Sequence, residues 1–402
     1  MHKLYGISRR IYGSNGKEII FTRGDGCHIY DQNDKEYVDM ILGYGPIILG
    51  HNNREFSLRL MEVINNGYLF PSYGSVQIEL AEQVASGYPN HQLISIYQSG
   101  SDGLDAVLRI CKYITGKEKY IRFGYIGWHD NLLNGGVNWH EPINSNKFRD
   151  IAVNLKNIED KAINWYGDGV DSFEELCRNP NIACFIFDAY QIDRWPMLEI
   201  EKLIAVCKKN NILVVLDETK TSGRVASYGF YKDKLDYDFT ILGKAVGNGY
   251  PVSLLIGSKK FTDIPYDTIK IAGTYARDGL CCGAVLATEK IMEDNDFYEA
   301  ISITGYKIAQ MMNECILSIL GTKDVTVMTM LQGGILEFSY SNKFANDFIL
   351  RTEFSNALLN NGIIIPDGHC FYICSEHIVC LEELKERFYK ALYQFSNSMV
   401  LC

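Results

Sequence analysis

Lys244 stands alone among apolar and glycine residues in Asp238-Phe-Thr-Ile-Leu-Gly-Lys-Ala-Val-Gly-Asn-Gly-Tyr-Pro251, the only charged residue between Phe239 and Gly257. A lysine withdrawn from water loses its preference for the ammonium form and offers a neutral amine able to attack a carbonyl and form an imine. A second feature is Asp217-Glu218, which closes the apolar run Ile212 to Leu216. At the carboxyl edge of a parallel sheet, where ligands bind, a carboxylate can hold a protonated ring nitrogen; in isolation such an acid more often caps a loop. The third is Ser99-Gly100-Ser101, set between a strand-like run and a helical pattern. The backbone N–H groups of that helix start and the Ser101 hydroxyl would form an anion site, although Ser-Gly-Ser before a helix is more often a plain N-cap.

The elements that must position these residues alternate. Residues 18 to 42 read as short strands broken by Gly24, Gly26 and the turn Asp31-Gln32-Asn33-Asp34, an antiparallel ribbon. His91 to Gln98 reads as a buried strand, after which Leu104, Val107, Leu108, Cys111 and Ile114 share one helix face. Ala183 to Phe187 is a strand ending in Asp188, Met197 to Lys209 an amphipathic helix, and Ile212 to Leu216 a strand ending in Asp217. Such alternation predicts an α/β fold with a largely parallel sheet. Beyond about residue 290 helices and strands follow in mixed order up to a helix over Leu381 to Phe395, which fits a smaller second domain.

Composition narrows the function. The chain has 402 residues, 47% of them hydrophobic, enough for a large core and near the size of two domains. With 39 Lys and Arg against 49 Asp and Glu, the net charge of −10 provides no basic field for nucleic acid or an anionic membrane, so the expected partner is a small molecule. No apolar run approaches the roughly 20 residues of a bilayer span, and the N-terminal stretch has no apolar leader core. The 12 scattered cysteines, without a CxxC pair, read as reduced core residues, and the expected location is the cytoplasm.

An anion clamp, an acid for a ring nitrogen and an imine-forming lysine are together the contacts that pyridoxal 5′-phosphate requires. The chain resembles the class-III, fold-type-I aminotransferases of the glutamate-1-semialdehyde aminomutase-like group. The resemblance is carried by Tyr37 to His51, Ser99 to Asp102, Tyr125-Ile-Gly-Trp-His-Asp130, Leu216 to Arg224, Leu242 to Pro251 and Gly273-Thr-Tyr275. It implies a mostly parallel central sheet flanked by helices, with a smaller α+β domain. Residues 1–55 would contribute to the small domain and the active site, 56–290 would form the large cofactor domain, and 291–402 the C-terminal small domain.

It further implies that Lys244 carries the cofactor as an imine, Asp217 bonds its ring nitrogen, Gly100 and Ser101 hold its phosphate, and Tyr125 stacks on its ring. Thr274 would reach the phosphate of a neighbouring subunit, hence a homodimer with active sites at the interface. Arg9 would bind a substrate carboxylate, with Tyr44, Trp128 and Asp188 as further substrate contacts. The implied reaction is amino transfer from an amino-acid donor to an aldehyde, keto acid or keto sugar, with intramolecular transfer of the aminomutase type as the alternative.

Departures from the family pattern lie at Ile126, where histidine is usual, at Asp102 and Gly103, at Asp188-Ala189 in place of Glu-Pro, and at Asp278-Gly279 in place of Asn-Pro. His369, Cys370, Cys374, His377 and Cys380 have the short spacing of a zinc site. Phe371 to Ile373 between them read as a strand that places Cys370 and Cys374 on one face and His377 on the other, so no metal is expected.

Overall fold

The computed structural model describes residues 10–13, 16–129, 131–132, 162–165, 167–365 and 367–400. The chain divides into two compact units, Glu55–Tyr298 and a second built from the segments before Glu55 and after Tyr298.

The second unit begins with the antiparallel ribbon β1 (Phe21–Asp25), β2 (His28–Asp31) and β3 (Glu36–Asp39). Its tight turn is set by Asp31, whose Oδ1 accepts from Asn33 N at 2.8 Å and Lys35 N at 3.0 Å. This Asx arrangement is why short polar residues stand there.

In Glu55–Tyr298, α1 (Arg54–Asn65) and α2 (Ser75–Gly87) precede β4 (His91–Tyr97), α3 (Gly100–Thr115), β5 (Lys119–Phe123) and β6 (Ala162–Asn164). Then come α4 (Val170–Cys177), β7 (Ile182–Asp188), α5 (Met197–Lys209), β8 (Leu213–Glu218), β9 (Phe239–Gly243), β10 (Ser253–Ser258) and α6 (Gly279–Asp294). The sheet order is β4-β10-β9-β8-β7-β5-β6. β9, β8, β7, β5 and β6 run parallel, while β10 is antiparallel to both β9 and β4. The carboxyl ends of β4, β5, β7, β8 and β9 therefore lie on one edge. All seven residues of β7 are buried, the signature of a parallel strand covered on both faces. On α3, Leu104, Val107, Leu108 and Cys111 are buried, and Gly116, at φ +67°, ends the helix by donating its N–H to Lys112 O.

The second unit is completed by α7 (Phe297–Leu320), β11 (Val325–Met330), β12 (Ile335–Tyr340), α8 (Phe348–Asn360), β13 (Ile363–Ile364), β14 (Phe371–Tyr372) and α9 (Leu381–Val400). β13 adds in parallel to β3, and β14 pairs antiparallel with β12. The expected strand across Phe371 to Ile373 stops at Tyr372. Cys374 is instead tied into a short turn in which its N–H donates to His377 Nδ1 at 3.0 Å, so strand alternation does not order these residues. Burial holds His377 neutral, its pKa lowered to about 4.

Among the described residues the one trio placed to share a metal is His28, Glu36 and Glu383, and Arg387 Nη2 already ion-pairs with both carboxylates at 2.6 Å. Among those residues too, no helix is long and apolar enough to cross a membrane.

Candidate active site

Ser99, Gly100 and Ser101 follow β4. Ser99 is the N-cap of α3: its Oγ accepts from Asp102 N at 3.3 Å and donates to Asp102 Oδ2 at 2.6 Å. The plain cap reading thus describes Ser99, while the N–H groups of Gly100 and Ser101 belong to the first turn, which lacks intrahelical acceptors. Ser101 is buried beneath the loop after β5, and its Oγ accepts from Trp128 N at 3.2 Å. Gly100 is required by a close approach: a Cβ there would lie 2.6 Å from Thr219 Oγ1 and 2.9 Å from Thr219 Cγ2. Gly100→Ala is expected to cost about 1–3 kcal/mol, and adding Thr219→Ala, which removes both obstructing atoms, should recover most of it in thermal denaturation.

Asp217 and Glu218 end β8, and strand alternation separates two acids that look alike in sequence. Glu218 is structural: Phe230 N, Tyr231 N and Thr221 Oγ1 donate to it at 2.8 to 3.3 Å. Asp217 is also buried, with Thr219 N donating to Oδ1 at 2.9 Å. Burial, and then the charge of Asp188, push its carboxyl up to about 7; Thr219 and the nearby Lys244 pull the other way.

Lys244 follows β9 and is half-buried, at φ +52°, a left-handed conformation that costs a non-glycine residue on the order of 1 kcal/mol. It opens a short turn closed by Asn248, also left-handed at φ +41°. The sequence window without charges is met in space by Asp217, whose carboxyl feels the Lys244 charge.

Asp188 ends β7 directly opposite Asp217. Its Oδ1 accepts from Tyr190 N at 3.0 Å, and its Oδ2 faces Lys220 Nζ at 3.7 Å. Tyr125, half-buried, and the buried Ile126 follow β5. Trp128 is 64% exposed, its ring edge-on to His129, which lies 3.5 Å from Asp102 and 3.9 Å from Asp105. Thr274 is exposed at the start of a one-turn helix beside Gly273, where an added Cβ would meet open space.

Lys244, Asp217, Asp188, Tyr125 and the Ser99-Gly100-Ser101 turn are thus gathered on one edge of one sheet. Tyr44 belongs to the other unit, in a run of left-handed residues from Leu42 to Gly45, with its ring edge-on to His369 at 5.4 Å. Arg9 lies outside the described residues. Lys220 and Thr219 were missed in the sequence reading; the one signal for Lys220 was a charge directly after Asp217-Glu218-Thr219.

Residues 11–391 match the family described as aminotransferase class-III. The chain belongs to the class-III aminotransferases. A glutamate-1-semialdehyde 2,1-aminomutase of Sulfolobus acidocaldarius is 28% identical to it over 359 residues, covering 86% of this chain and 84% of that protein. Among solved structures, one titled "Transaminase with PLP bound" is similar with a TM-score of 0.82 at 19% identity, over 98% of this chain and 95% of that one. An omega-transaminase from Sphaerobacter thermophilus is similar with a TM-score of 0.81 at 18% identity, over 97% and 94%. This class-III aminotransferase has the expected fold-type-I architecture, and it is a pyridoxal 5′-phosphate-dependent enzyme of small-molecule substrates.

Proposed function

We propose that this aminotransferase moves an amino group from an amino-acid donor to a separate carbonyl acceptor, an aldehyde, keto acid or keto sugar, in a biosynthetic reaction. The observation that carries the reading is the convergence of Lys244, Asp217 and the first turn of α3 on one sheet edge. The donor set fits the cofactor. A carboxylate so buried that its pKa reaches about 7 gains by meeting a protonated ring nitrogen, and a glycine-serine helix start suits a phosphate.

Pyridoxal phosphate, when bound, supplies an electron sink for the bond to hydrogen at the amine-bearing carbon. Lys244 Nζ is assigned two tasks: covalent attachment of the cofactor and, once displaced by the donor, carriage of the proton taken from that carbon. Asp217 holds the ring nitrogen in its protonated form, Gly100 and Ser101 bind the phosphate, and Tyr125 covers the ring. Trp128 and Tyr44 are assigned to substrate. Arg9 keeps its assignment to a substrate carboxylate on the resemblance alone, and Asp188 acts through Asp217 rather than on substrate. The described cysteines are free and buried, which supports a reducing compartment, the cytoplasm.

The assembly proposed is a homodimer in which Thr274 serves the neighbouring site. Leu58, Met61, Ile64, Leu69, Phe70 and Tyr73 form an exposed apolar strip, and Arg277 Nη1 binds Pro71 O at 2.7 Å, which places the Thr274 turn beside it. A monomer rarely leaves such a strip in water. Introducing Leu58→Asp with Met61→Asp should raise the dimer Kd by about 10-fold or more, read by sedimentation, and weaken cofactor binding with it.

The second reading, intramolecular transfer, is favoured by the similarity to the Sulfolobus aminomutase. Against it stands the sequence from Asn131 to Asn146, most of which lies outside the described residues. It lacks the small-residue pattern the resemblance implies for the aminomutases and reads instead as a Trp-His-Asp loop like those of the transaminases. Two assays separate them. A transaminase bleaches its visible band on addition of an amino donor and needs an acceptor for turnover, whereas a mutase converts glutamate 1-semialdehyde with neither.

A further inference from the structure

Lys220 has no part in the chemistry above, yet its side chain and that of Asp188 are each only 4% exposed, with Nζ 3.7 Å from Asp188 Oδ2 and 4.0 Å from the centre of the Tyr190 ring. A buried ion pair is weak evidence for stability, since apolar residues of similar volume hold such a place as well or better. The surroundings give the lysine a different reason to be there. Asp188 and Asp217 are paired residues on adjacent parallel strands, and both are buried. Like charges in that relation oppose each other.

Asp188 cannot turn away, because Tyr190 N holds its Oδ1. Nor is Lys220 loosely placed. It sits in the turn after β8, where Glu218 O accepts from Thr221 N and Ser222 N, and its own carbonyl accepts from Arg224 Nε at 2.6 Å. Among the described residues, Lys244 from beyond β9 and the Tyr231 phenol, which donates to Asp193, also face the two carboxylates.

We propose that Lys220 is a positioning residue: clamped on Asp188, it offsets part of the field of that carboxylate at Asp217 and so keeps Asp217 available as the anion that meets the cofactor ring nitrogen. The inference rests on the cofactor reading given above and adds to it the reason a second lysine is buried at the same edge. It also accounts for the local pattern, since a shorter acid at the end of β7 and a cation three residues past Asp217 occur together.

The test is the pH dependence of binding of 4′-deoxypyridoxine 5′-phosphate, which has no aldehyde to react with Lys244, to the full chain freed of cofactor. Binding should weaken as pH falls, and this acid limb should vanish in Asp217→Asn. Lys220→Met should move the limb up by about one pH unit. Lys220→Arg should leave it in place, and Lys220→Met combined with Asp188→Asn should return it to the wild-type position or below. A limb that does not move in Lys220→Met while only the melting temperature falls, or one that survives Asp217→Asn, would overturn the inference. A wild-type chain that binds the analogue at no pH would instead overturn the cofactor reading, and this inference with it.

Discussion

Lys244→Ala should lower the rate of amino transfer by at least about 10⁴-fold, because one substitution removes both the covalent attachment and the proton carrier. Single-turnover assays with donor in excess measure the loss, and added methylamine should restore part of the rate by replacing the missing amine. The fold should persist, since Lys244 is half-buried and Ala245, Val246 and Gly247 supply the packing of its turn. The left-handed backbone at position 244 adds a distinction that no catalytic argument makes. Lys244→Gly should be inactive too, yet more stable than Lys244→Ala by about 1 kcal/mol, since glycine adopts that conformation without steric cost. Thermal denaturation of the two cofactor-free variants reads the difference.

Asp217→Asn should reduce the rate by about 10²–10³-fold, the range expected when one preorganised charge is lost from a buried site. Its effect on stability runs the other way. The Asp217 carboxyl rises from 3.8 to about 7 on folding, so the folded chain binds the proton more tightly than the unfolded one between those values. The stability it contributes is fully present below 3.8 and is lost as pH rises through 7. At pH 8 the cofactor-free wild type therefore bears an ionised, buried carboxylate that Asn does not have. Asp217→Asn should be the more stable cofactor-free protein there, by up to roughly 4 kcal/mol, with the gap closing toward pH 4. Denaturant melts at the two pH values check the sign. A variant less stable than wild type at pH 8 would show that the carboxylate is not held against its preference.

Much of this was legible because the physics is local. The spacing of Leu104, Val107, Leu108 and Cys111 marks α3, and the helix expected over Met197 to Lys209 has those same bounds. Helix α1 left little trace as a core element, since Phe56 is its one buried residue and its apolar residues Leu58, Met61 and Ile64 are exposed. Strands β13 and β14 are two residues each and exist only through pairing with distant partners, β3 and β12, a contact that no local pattern encodes.

The site divides in the same way. Lys244 stood out because its sequence neighbours are uncharged, whereas the carboxylate that meets it in space comes from another strand. By residue type alone Asp217 and Glu218 are alike, and only the resemblance separates them; the sheet turns one toward the site edge and the other toward Phe230 and Tyr231. Asp188, expected among the substrate contacts, has both oxygens facing protein, a fact that depends on the turn carrying Lys220.

The most direct measurement is borohydride reduction of the cofactor-loaded protein, followed by peptide mass analysis. The account predicts a single phosphopyridoxyl adduct on the peptide that contains Lys244 and none on the one that contains Lys220. An adduct on Lys220 or any other lysine, or the absence of one, would contradict it.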